Sequence, residues 1–160
     1  MSQPTGRCSF CSNTDLTKSH IWPEWAQKII PTTSAQYEIT RGLTKTFKPN
    51  APGPEPRTLV KPGSVAQRRP RNTCKECNNG WMRDIEEAAK YEISKLMTGN
   101  PIVLSPLAQY RVATFLCLAS IRIAVANRDS NPVPASDLHH LKTLRDVPPS
   151  WKIWLMAAIC

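Results

Sequence analysis

Apolar residues recur at helical spacing in the second half of the chain and are broken up in the first half. From Trp81 to Met97 the apolar positions Trp81, Ile85, Ala88, Ala89, Ile93 and Leu96 keep a period near 3.6, which predicts an amphipathic helix. Asp84, Glu86 and Glu87 in its early turns suit the positive end of the helix dipole, and Gly99-Asn100-Pro101 ends it. A second helix is signed by Ser105 as N-cap and Pro106 as first residue. It runs to about Asn127 and is apolar nearly all round, which predicts burial on several sides. Its densest apolar run, Val112 to Ala126, is too short to span a bilayer and contains Arg122, so it reads as a core helix. Ser136-Asp137 predicts the cap of a shorter helix through Arg145, and Pro148-Pro149 breaks it. Trp151 to Ile159 reads as a strand or short apolar segment. An apolar end at Cys160 fits either a buried terminal strand or a truncated longer protein.

The first half has no comparable period. Leu16 to Trp22 predicts a short strand leading into Pro23, and Glu24 to Ile30 one or two helical turns before Pro31. Residues 31–72 are rich in Pro, Thr, Gly and basic side chains. Pro49, Pro52, Pro54, Pro56 and Pro62 forbid a long helix and most central strands there. The segment reads as a long loop or broken β-hairpin, with weak strands near Tyr37–Thr44 and near Thr58–Val60 or Val65–Arg69. The predicted fold class is α+β: residues 1–100 as one compact unit carrying the long loop, and 101–160 as a helical extension.

Composition adds a partner class. The chain has 160 residues, is 41% hydrophobic and carries a formal charge of +9, a prior for a polyanionic partner. The excess is concentrated between positions 41 and 75, in nine basic residues: Arg41, Lys45, Lys48, Arg57, Lys61, Arg68, Arg69, Arg71 and Lys75. Such a stretch predicts a patch that tracks nucleic-acid phosphates. Residues 101–160, with six basic and three acidic side chains, are the weaker candidate for that surface. The first twenty residues contain no apolar leader-like run, so the expected compartment is cytoplasmic, with no membrane partner.

The cysteines supply the strongest motif. Cys8-x2-Cys11 and Cys74-x2-Cys77 present four thiolates as two hooks, the donor set of a tetrahedral structural Zn²⁺. Cys117 and Cys160 have no hook partner and read as non-ligands. A closed four-cysteine site leaves no open position for water, so any catalysis falls to other residues. His20 is the candidate. Trp22, Trp25 and Trp81 read as core, and the adjacent pair His139-His140 as surface rather than a second metal site.

The order C-x2-C, S-H-I-W-P-E-W at 19–25 and C-K-E-C-N-N-G-W-M-R-D-I-E at 74–86 resembles the HNH endonuclease family, specifically a bacterial and phage subgroup with a CNNGWM-type helix start. The resemblance covers roughly residues 8–90. It implies a small zinc-stabilised ββα-metal (treble-clef-like) core with an appended helical region. It also implies hydrolysis of DNA phosphodiester bonds, leaving a 5′-phosphate and a 3′-hydroxyl, with one Mg²⁺ or another divalent cation. By that resemblance His20 is the general base, Ser19 occupies the first metal-ligand position and Asn78 is the second ligand. Asn79 and Glu24 are possible support for the catalytic metal, and Glu86 fits the family's helix position. The departure is Ser19, where the family commonly carries Asp, Glu or His. The alternative is a catalytically inactive HNH-like zinc module that binds nucleic acid or a protein partner, such as a phage-type inhibitor of a nucleic-acid machine.

Overall fold

The computed structural model describes residues 6–30, 36–41, 57–126 and 133–155. Within them, two small antiparallel sheets precede a set of packed helices. The first sheet pairs β1 (Leu16–Thr17) with β4 (Thr73–Cys74) in the register Leu16 to Cys74 and Thr17 to Thr73. Between them in the chain come α1 (Glu24–Gln27) and the hairpin of β2 (Gln36–Arg41) with β3 (Arg57–Pro62). The weak strands expected in the basic segment thus pair with each other. Val65–Gln67 forms a 3₁₀ turn rather than the alternative strand.

The strand expected over Leu16–Trp22 is regular only at its first two residues. Pairing continues more loosely, with Ser19 N–H donating to Pro70 O at 3.2 Å and Ile21 N–H to Arg68 O at 3.2 Å. Pro70 has no N–H to return, which thins the ladder. The register also slips by one residue between the two stretches, so an extra residue bulges from the 70–73 arm.

The chain turns from β4 directly into α2 (Lys75–Cys77), a wide π-helical turn (Asn78–Met82) and α3 (Arg83–Met97). The helical path therefore starts six residues before the expected Trp81. Gly80 interrupts it with φ −96° and ψ −117°. On α3 the inward stripe is Ile85, Ala89, Glu92 and Ile93, preceded by the buried Trp81 and Met82, whereas Ala88 and Leu96 face outward.

α4 (Pro106–Ala126) begins as expected, with Ser105 Oγ accepting from Ala108 N–H at 3.2 Å. By length and composition it is the one helix among the described residues that meets the threshold for crossing a membrane, longer than the apolar run alone suggested. Half of its most apolar window is buried inside the protein, against α3 and α5 (Ala135–Leu144). α5 starts two residues earlier than expected and Ser136-Asp137 does not cap it. Pro134 holds the N-cap position, and the buried Asp137 carboxylate instead accepts from Ser150 Oγ at 2.9 Å and Trp151 Nε1 at 2.8 Å. That tie anchors Trp151 to α5, and 151–155 have no regular structure, which fits the short apolar segment rather than the strand; 156–160 lie outside the described residues.

One hydrophobic cluster contains the cysteine hooks, Phe10, Trp81 and Met82 together with Val112, Phe115, Leu118 and Ile121 of α4 and Leu138 and Leu141 of α5. Trp22 and Trp25, read from the sequence as core, pack their rings on Phe115 at centroid distances of 6.2 and 5.8 Å. Side chains before and after position 100 thus share this cluster.

Candidate functional site

The hooks are built by local turns. Cys8 N–H donates to Asn13 O at 2.7 Å and Ser12 N–H to Cys8 O at 2.9 Å, closing a turn in which Ser12 takes the left-handed conformation (φ 63°). In the second hook Cys77 N–H donates to Cys74 Sγ at 3.4 Å. The β1–β4 pairing joins the hooks, because Leu16 sits opposite Cys74 and Lys75 N–H reaches Asp15 O.

All four cysteine sulfurs fall within 4.8 Å of one another. Cys11 Sγ lies 3.5 Å from Cys74 Sγ and 3.6 Å from Cys77 Sγ. Four sulfurs at the usual Zn–S bond length of ~2.3 Å stand about 3.8 Å apart along the edges of a tetrahedron, so the cluster has the right size for one soft divalent cation. Burial pushes the Cys74 and Cys77 thiols up. For Cys11 burial acts the same way but is outweighed by hydrogen bonds from the Asn13 backbone and the neighbouring thiols, and its value falls. Packing sulfurs this closely in an apolar surrounding is unfavourable as thiolates unless a cation neutralises them. Phe10, inside the first hook, meets Trp81 edge-on at 5.3 Å and 71°, and both belong to the hydrophobic cluster that contains the hooks. Cys117 is fully buried in α4, away from the four, and burial pushes its thiol up to about 12, the behaviour of an inert core thiol.

His20 lies on the arm leading away from the first hook and is half-buried. Its Nε2 accepts from Arg69 Nε. Burial lowers its pKa below the ordinary histidine value, and the charges of Arg69 and Arg122 lower it further against the opposing pull of Glu24. The imidazole is therefore neutral near pH 7. Ser19 is buried, 2% exposed. Neighbours on an extended segment point to opposite faces, which sets its hydroxyl on the covered side and the imidazole on the open side.

Asn78 opens the π-helical turn directly after Cys77, and its Nδ2 donates to Asn79 Oδ1 at 3.1 Å, with Asn79 exposed. Glu24 is the exposed first residue of α1 and is the carboxylate whose charge reaches His20. The basic residues divide. Arg69, Arg71 and Lys75 are exposed, whereas Arg68 donates to Ala126 O at 3.0 Å and ties the arm to the end of α4. Arg41, Arg57 and Lys61 lie on the β2–β3 hairpin, and Lys45 and Lys48 fall outside the described residues.

One element of the site was not anticipated. Arg122, the charge inside the apolar helix, pairs with Glu86 of α3, and its second terminal nitrogen lies 3.4 Å from Met82 Sδ. Both groups are largely buried, with side-chain exposures of 5% and 15%. Arg122 thus ties α4 to the end of the π-helical turn and the first turn of α3. A lone charge in a core run signals a buried partner, but the sequence does not say which carboxylate it is. No protein-family model, curated protein or solved structure matches this chain.

Proposed function

We propose that this protein is an HNH-type endonuclease acting on DNA, with a structural Zn²⁺ in the four-cysteine cluster and His20 as general base. The observation that carries the reading is the placement of His20. It sits on one arm of a hairpin whose other arm runs through Cys74 and Cys77 into the helix start bearing Asn78, and the four sulfurs tie the two arms together. Two strands and a helix in that order support the ββα-metal reading.

In this mechanism the neutral imidazole takes a proton from the attacking water, a role that a depressed pKa favours. The exposed Arg69, Arg71 and Lys75 bind the backbone phosphates. A catalytic Mg²⁺ or similar cation, when bound, neutralises charge growing on the leaving oxygen. Asn78, Asn79 and Glu24 would hold it through their side-chain oxygens, the hard donors that Mg²⁺ takes alongside phosphate and water. Ser19, covered by the fold, contributes little to that donor set. The test is plasmid cleavage with Mg²⁺, Mn²⁺ or Ni²⁺ by the wild type and His20→Ala. Cleavage is expected only from the wild type, and cleavage that persists unchanged in His20→Ala rules out the base assignment.

A second reading is favoured by the buried Ser19: a zinc module that keeps the scaffold and binds nucleic acid or a protein without cutting. Binding with no cleavage under any of the three metals is its signature.

A further inference from the structure

The hydrogen bonds Ser19 N–H to Pro70 O and Ile21 N–H to Arg68 O make residues 20 and 69 directly opposed across the two arms. They form a pair without backbone hydrogen bonds of its own, the position at which antiparallel side chains come closest. Arg69 is exposed, while its neighbour Arg68 is tied to the end of α4. The backbone at 69 is thus fixed beside His20 and the guanidinium is free to swing.

The chemistry of the contact is one-sided. A guanidinium only donates hydrogen bonds, so His20 Nε2 must be the acceptor and the ring proton must sit on Nδ1. In that state the imidazole has no lone pair left for water: Nε2 is capped and Nδ1 is protonated. The contact that holds the candidate base in place also blocks it. A phosphodiester oxygen is a stronger acceptor for Arg69 than a neutral imidazole, because the bond is then charge-assisted from both sides.

We propose that Arg69 gates His20: it caps the Nε2 lone pair in the free protein and is drawn off it by a phosphodiester of bound nucleic acid, so the base opens only when a backbone arrives. The gate rests on the reading of His20 as the base of a nucleic-acid enzyme. It gives Arg69 a role that its neighbours on the basic arm do not share.

Carbethoxylation with diethyl pyrocarbonate tests the cap without any need for cleavage. An available imidazole lone pair attacks a carbonyl carbon of the reagent. The new N–C bond forms as a C–O bond breaks, the ring N–H proton is released, and the departing ethyl carbonate takes up a proton and decays to CO₂ and ethanol. The chain has three histidines, which peptide mass mapping separates. Exposed His139 sets the reference rate, and His140, whose Nε2 is buried, reports that the fold is intact.

In the zinc-loaded full chain His20 should react about tenfold or more slowly than His139, the effect of one charge-assisted hydrogen bond. Arg69→Ala and Arg69→Gln should speed its reaction about tenfold or more over the wild type while His140 stays protected. A wild-type His20 that reacts as fast as His139, or one that remains slow in both variants, overturns the cap. The release is read on the wild type by imidazole ¹⁵N resonances. A short DNA duplex added without divalent metal should abolish the hydrogen-bond coupling between Arg69 Nε–H and His20 Nε2. Coupling that persists at saturating DNA overturns the gate alone. Failure to bind any duplex overturns it together with the proposed function, and absence of cleavage in an otherwise gated protein removes only the nuclease reading.

Discussion

His20 and Arg122 are each defined by a neighbour from a distant part of the chain. For His20 the consequence is a pH dependence of known sign. Its folded pKa lies below the ordinary value of 6.5, chiefly through burial, so the unfolded chain takes up the proton first. The stability tied to the neutral ring is fully present above 6.5 and is lost as pH falls through the folded value. Melting temperature should therefore decline on the acid side of 6.5, and His20→Ala should flatten that decline; an unchanged slope in the variant removes His20 as its source. The acid limb of any cleavage profile should likewise lie below 6.5. For Arg122 the consequence is asymmetric. Removing one member of a buried pair strands the other, so Arg122→Met alone should cost roughly 3–5 kcal/mol in denaturant unfolding, while the double change with Glu86→Leu should recover most of the loss. Additive losses in the double variant would contradict a direct pairing. The charge in the apolar run was legible in the sequence, but its partner was not, because a buried ion pair is made by helix packing and leaves no spacing signal.

At the scale of elements, the local punctuation was read well where side chains act on their own backbone. Ser105 caps α4 as its sequence context demands, and Ser105→Ala should lower stability by ~1 kcal/mol in thermal or denaturant unfolding, with no change in metal content. Ser136-Asp137 has similar capping chemistry yet does not cap α5, because Asp137 finds better partners in Ser150 and Trp151. The hairpin arms and the helix start depend on the sulfur cluster in the same way. β1 and β4 are two residues each, too short to persist alone. Stripping the metal with a strong chelator should therefore unfold the hooks, the arms and the π-helical turn together, seen as loss of near-ultraviolet circular dichroism from Trp81 and recovered on adding Zn²⁺. A metal-free chain with an unchanged spectrum and melting temperature would refute the structural role of the cluster.

For the whole molecule, packing links the two halves. Phe115 of α4 lies under Trp22 and Trp25, Arg122 reaches Glu86, and Arg68 reaches Ala126. A fragment of residues 1–100 should accordingly fail to give dispersed amide resonances even with zinc supplied, because it would expose the apolar face that α4 covers. A well-dispersed spectrum from the fragment would show that residues 1–100 fold alone. The expected phosphate track is also thinned by packing. Arg68 is engaged inside the fold, so its loss should damage stability more than DNA affinity, whereas Arg71→Ala and Lys75→Ala should each reduce the salt slope of DNA binding by about 1.

The sequence by itself determined the elements whose cause is local: the helix at Pro106, the long helix after Gly80, and the two cysteine hooks, whose four thiols have the spacing of a metal site; for the basic segment it left a long loop and a broken hairpin both open, and pairing of β2 with β3 decided between them. Only the tertiary structure decided what those elements face. It buried Ser19, set Arg69 opposite His20, joined Arg122 to Glu86 and turned Arg68 inward. Each of these depends on strand register or helix packing, where one residue of slip changes every neighbour while leaving composition and periodicity as they were.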